Sequence, residues 1–140
     1  MGLGGIFIDV EKRMVNRVSA SPQALELIAT LKAQHGDVIF HQSGGCCDGS
    51  APMLFPRNEF PLGGSDVKLG DIGGVPFYMS KSQFAYWEHT HLTIDVVKGN
   101  GGMFSLERPS GMRFLTRSRL YSDEEFAALL PVENADSRDY

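Results

Sequence analysis

Residues 41–50 read HQSGGCCDGS and hold both cysteines of the chain, Cys46 and Cys47, side by side. A thiolate is a nucleophile and a soft metal ligand. Two neighbouring thiols can bind one metal ion, share a persulfide, or trade one oxidation state between them. Gly44 and Gly45 precede the pair, and glycine lets the backbone approach another group closely. Cys46 and Cys47, with His41 or Asp48 assisting, are therefore the candidate metal ligands. Gly44 and Gly45 are the candidate cofactor-facing backbone. In the bland alternative, the thiols are small buried hydrophobes and the glycines only turn the chain. Neighbouring cysteines bridge only with strain in the peptide between them. Free thiols are expected in a reducing compartment.

His89 and His91 form a second candidate pair. If a strand starts at His89, both imidazoles share one face, an arrangement that suits a metal. Histidines also sit at half-exposed helix-to-strand junctions for no chemical reason. A structural zinc site normally takes four protein ligands, and the spacing here matches no finger or ribbon. A symmetric dimer that brings two loops together would offer four thiolates, the usual number for an iron–sulfur cluster. GxGxxG after a strand, GxSxG and HExxH are absent. A Cys–His nucleophile pair has no third orienting group nearby in the sequence. No catalytic residue is assigned, and a binding role is expected ahead of an enzymatic one.

The elements around the loop follow from local signals. Ser21 is a fitting N-cap, Pro22 a first helical residue and Gly36 a C-terminal stop, so a helix is expected over 22–34. DVIFHQ reads as a strand with Val38 and Phe40 on one face and Ile39 and His41 on the other. PMLF, DVKLGDI, VPFYMS, HLTIDVVKG, MFSLE and MRFLTRSRL read as further short strands. SKSQFAYWEH and SDEEFAALL read as short helices, the second with Ser122 and Glu125 at capping-box spacing. Asp95, inside an apolar strand, is expected to be a structural hydrogen-bonding residue. A helix followed mainly by hairpins is an α+β domain with mainly antiparallel sheets. The expected organisation is an N-terminal arm over 1–16, one domain over 17–130 and a disordered polar tail over 131–140.

Composition narrows the function classes. The 140 residues are 42% hydrophobic and 21% charged, with net charge -4, as in an ordinary soluble globular protein. The 13 Lys and Arg are scattered, which argues against nucleic acid as a partner. No apolar run reaches the roughly 18 residues of a spanning helix, so no membrane role is expected. The opening MGLGGIFIDVEKR carries its charges after its short apolar stretch, unlike a secretory signal. The expected compartment is the cytoplasm.

HQSGGCCDGSAPM, GGVPFYMS, LTIDVV, GMFSLE and FLTRSRL together resemble a small bacterial family of unassigned function. The match covers roughly residues 17 to 127. Members are often encoded beside aldehyde dehydrogenases, which implies such an enzyme as partner or client. They often carry a third cysteine where this chain has Leu54, and Gln where it has His91. The order of helix, strand, glycine–cysteine loop and hairpins is more distantly similar to the A-type iron–sulfur carriers with the HesB-like fold. Only the loop cysteine carries over, onto Cys46 or Cys47; the carriers' C-terminal Cys-Gly-Cys has no counterpart. The reading that follows is a small cytoplasmic accessory protein, a homodimer, with a vicinal-cysteine loop for a metal ion or iron–sulfur cluster. The alternatives are a metal-free thiol redox or persulfide protein and a non-catalytic interaction module.

Overall fold

The structure, a computed structural model, describes residues 16–42, 51–59, 62–99, 105–129 and 132–134. The arm expected over 1–16, apart from Asn16, lies outside the described residues, as does the tail from 135. So does the loop segment 43–50 with Gly44, Gly45, Cys46, Cys47 and Asp48.

The first described elements are strand β1 (Val18–Ala20) and helix α1 (Pro22–His35). The Ser21 hydroxyl accepts the Ala24 N–H at 3.1 Å, and Pro22 occupies the first turn. Gly36 ends the helix at φ 79°, where a side chain would be strained, and its N–H donates to the Lys32 carbonyl at 2.8 Å. The same Ser21 hydroxyl donates to Asp95 at 2.8 Å, which ties the helix start to the neighbouring strand. Asp95 is the structural residue its position suggested. The Arg117 guanidinium at 2.9 Å, with the Val96 N–H and the Ser21 hydroxyl, holds its carboxyl below the usual range.

Among the described residues eight strands form two sheets. The remaining strands are β2 (Val38–Gln42), β3 (Met53–Pro56), β4 (Asp66–Ile72), β5 (Val75–Ser80), β6 (Thr90–Lys98), β7 (Met112–Leu120) and β8 (Glu133–Asn134). One sheet has the order β1-β6-β7 and the other β3-β2-β5-β4-β8. The β1–β6 and β2–β5 pairs are parallel and the other four are antiparallel. The fold is thus α+β and mainly antiparallel. The β4–β5 turn uses Gly73 and Gly74 at φ 58° and 78°, the left-handed values a tight hairpin turn demands. A Cβ on Gly73 would sit 3.1 Å from Ile28 Cγ2, so this turn also lies hard against α1. Helix α2 (Lys81–Trp87) is capped by the Ser80 hydroxyl, and α3 (Asp123–Ala128) by the Ser122–Glu125 capping box. A two-point bond from Arg119, with the Ser122 N–H, pulls the Glu125 carboxyl down to about 2. No helix among the described residues is long and apolar enough to cross a membrane.

One hydrophobic cluster joins α1 and both sheets. Phe40 of β2 is its hinge pin: its ring lies 5.9 Å from Phe77 of β5 and 5.0 Å, edge to face, from Phe114 of β7. The other face of the second sheet buries Ile39 and Tyr78 with Leu62 in a smaller cluster. That is why VIFHQ and VPFYM read as near-continuous apolar runs rather than alternating ones.

Two stretches differ from their sequence reading. Ser105–Glu107, expected as the end of a strand MFSLE, form a turn that runs into a 3-10 helix at Arg108–Ser110. In this turn Glu107 is buried and accepts the Ser105 hydroxyl and the Phe114 N–H. Within the stretch expected as tail, Glu133 and Asn134 pair with Lys68 and Val67, and Val132 packs on the core.

Phe40 is fully buried between the sheets. Phe40→Ala is expected to cost about 3–5 kcal/mol in urea denaturation. Tyr86→Ala, at a position 68% exposed, is expected to change stability by less than about 0.5 kcal/mol.

Candidate functional site

Strand β2 delivers the chain into the thiol loop, and β3 receives it. The two strands are antiparallel, with His41 opposite Met53 and Phe40 opposite Leu54, so both ends of the connection are held at one end of this pair. Alternation along β2 then sends the last two residues to opposite faces.

His41 turns to the face of the smaller cluster. It is 6% exposed, and its Nε2 lies 3.0 Å from the Asp66 carboxylate at the start of β4. The second carboxylate oxygen of Asp66 accepts the Gly63 N–H at 3.1 Å, so the acid is itself held in place. An imidazole fixed by a carboxylate is the arrangement that orients both metal-ligating and general-base histidines.

Gln42 turns inward and is fully buried. Its side-chain oxygen accepts the Thr116 hydroxyl of β7 at 2.9 Å. On the return strand, the Leu54 N–H donates to the Ser105 hydroxyl oxygen at 2.8 Å, and the Leu106 N–H donates to the Leu54 carbonyl at 3.0 Å. The Ser105 hydroxyl in turn donates to the Glu107 carboxylate. Glu107 is 1% exposed and also accepts its own N–H and that of Phe114. Burial pushes its carboxyl above the ordinary value, and these hydrogen bonds offset that only in part.

Among the described residues, the buried polar side chains are His41, Gln42, Ser105, Glu107 and Thr116. Two of them end the strand that enters the loop. Thr116 bonds to one of these. Ser105 bonds to the strand that leaves the loop, and Glu107 bonds to Ser105. A buried polar group is costly without a partner. Gln42, Thr116, Ser105 and Glu107 span the seam where β7 of one sheet meets β2 and β3 of the other, and His41 lies on the opposite face of β2, against Asp66.

The residues singled out from sequence are distributed as follows. His41 stands at the foot of the loop. Gly44, Gly45, Cys46, Cys47 and Asp48 fall outside the described residues. His89 and His91 do not form a pair, because β6 starts at Thr90 and leaves His89 outside the strand. The His89 ring lies against Phe126, with centroids 4.8 Å apart. The His91 Nδ1 meets the Asn16 carbonyl at 2.8 Å, and its Nε2 meets the Ser19 hydroxyl at 2.9 Å. His91 thus anchors the chain where it enters β1. Among the described residues no group of three His, Cys, Asp or Glu could hold a metal ion.

Asp66, Ser105, Glu107 and Thr116 are the partners that sequence reasoning missed. Gln42 gave a signal, as an amide at a core-facing position of an apolar strand. Glu107 gave none, since it precedes RPSG and reads as the rim of a turn.

The raised Glu107 carboxyl sets a pH dependence. The folded state holds this proton more tightly than the unfolded chain does. Its contribution to stability is full below the ordinary value of 4.5 and is lost as pH rises through the raised one. Denaturation midpoints across that window are expected to fall with rising pH in the native protein, with a flatter slope in Glu107→Gln. An unchanged slope in the variant would assign the dependence to other groups.

No curated protein matches the chain. A family model described as "Domain of unknown function (DUF779)" matches residues 27–120. That span runs from the interior of α1 to the end of β7 and includes the thiol loop, Asp66 and all five buried polar residues. The chain therefore belongs to the DUF779 family.

Proposed function

We propose that this chain is a small accessory protein whose Cys46 and Cys47 hold a metal ion or an iron–sulfur cluster. Asp48 is a further candidate ligand, and Gly44 and Gly45 let the backbone close on what is bound. The observation that carries the reading is the collection of buried polar side chains at the two strand ends that bear the loop. A site that binds with defined geometry needs supports that are themselves hydrogen-bonded and packed. The Gln42–Thr116 and Ser105–Glu107 bonds meet that description on the inner side, and His41–Asp66 on the other. Two such loops in a homodimer would supply four thiolates for a cluster. The resemblance noted from sequence adds an aldehyde dehydrogenase as client, an enzyme class that often depends on an active-site thiol which such a partner could protect or repair.

A second reading draws on the Asp66 carboxylate, the orienting group that was missing from the sequence. Here His41 acts as the base for a thiol of the loop, and no metal is involved. The pair would close to one disulfide by passing two electrons and two protons to a small-molecule disulfide, which leaves as two thiols.

Metal analysis with an absorption spectrum, on protein purified without air, separates the two. The proposal expects stoichiometric metal in the native protein and its loss in Cys46→Ser and Cys47→Ser. Equal metal content in both variants contradicts it. Metal-free native protein that loses two hydrogens under mild oxidant favours the second reading.

A further inference from the structure

A groove runs between the C-terminal end of α1, the 3-10 turn Arg57–Glu59 and the 3-10 turn Arg108–Ser110. It consists of two hollows of about 510 and 370 Å³ that share His35. Small-molecule sites fall in the range of roughly 300–1,000 Å³. The larger hollow has an apolar wall of Leu31, Leu106 and Pro109 and carries the side chain of Arg108. The smaller is bordered by Asp37, Arg57 and Asn58.

Arg57 is the unusual member. Its backbone N–H donates to the Asp37 carbonyl at 3.0 Å, which fixes the turn. Its side-chain Nε is buried and has no hydrogen-bond partner. A buried donor left unpaired is costly and calls for an explanation. A guanidinium binds a carboxylate side-on through Nε–H and one terminal N–H together. We propose that this groove binds a small organic monocarboxylate with an apolar body, and that Arg57 swings toward it so that Nε gains the partner it lacks in the free protein.

Charge selects the ligand class. Among the described lining residues Arg57 and Arg108 are cationic and Asp37 is anionic, so an anion is favoured over a cation. Asp37 and the carbonyl end of α1 are both negative, and they weigh against a dianion such as phosphate. Leu31, Leu106 and Pro109 offer contact to a hydrocarbon body and little to a bare inorganic ion. The larger hollow borders Ser105 of the seam, but the carboxylate proposal does not rest on the thiol-loop reading.

Benzoate is the probe, with benzamide as its uncharged counterpart and inorganic phosphate as the dianion. Each is titrated into the full chain while the arginine Nε–H and backbone amide signals are followed by NMR. The expected result is saturable binding of benzoate, a shift of the Arg57 Nε–H signal, and amide shifts confined to the groove. Arg57→Gln should weaken benzoate at least tenfold while its spectrum stays native elsewhere. If that variant misfolds, Arg57→Lys keeps the charge, removes the fork, and should weaken benzoate likewise. Benzamide or phosphate binding as well as benzoate, undiminished binding in the folded variant, or shifts that map elsewhere would each overturn the assignment.

Discussion

The fold depends on satisfying polar groups inside the seam between its two sheets. Glu107 is the extreme case: a carboxyl with almost no exposure, held by the Ser105 hydroxyl and two backbone N–H groups. One of those N–H groups belongs to Phe114 of the first sheet. Ser105 meanwhile takes the Leu54 N–H of the second. Two residues of a turn thus bridge the edges of both sheets. The Thr116–Gln42 bond does the same further along β7. Phe114 packs edge-on against Phe40 between these two polar contacts, so apolar and polar parts of the seam fix each other. Moving β7 relative to β2 would break all of them at once.

The consequence for the loop is mechanical. The segment 43–50 joins the described fold through the ends of β2 and β3. Here those ends are pinned on both faces, by Asp66 through His41 and by Thr116 through Gln42, while Ser105 pins the return strand. The other features of the fold serve the same rigidity. Ser21 couples the helix start to Asp95, and the Gly73–Gly74 turn lies against Ile28.

What the sequence made legible was local. Ser21, Pro22 and Gly36 bounded α1 to within a residue of its observed end, because capping depends on near neighbours only. The Ser122–Glu125 box and the GlyGly hairpin were readable for the same reason. The parallel β1–β6 and β2–β5 pairs were not, since they join segments far apart in the chain and leave no local mark. The foundation of the loop was hidden by the same cause. Of the 17 acidic residues, nothing nearby in sequence distinguishes Glu107 as the one that turns inward. His41 was picked out by its nearness to the cysteines, but its partner Asp66 comes from another strand. His89 and His91 would share a face only in a strand that begins at His89, and β6 begins at Thr90.

We propose that these supports position the two thiols for a metal. X-ray absorption at the metal edge of protein loaded in the absence of air tests that claim at the atoms concerned. An inner shell dominated by sulfur, contributed by Cys46 and Cys47, is the expected result. An inner shell of oxygen and nitrogen alone would contradict it.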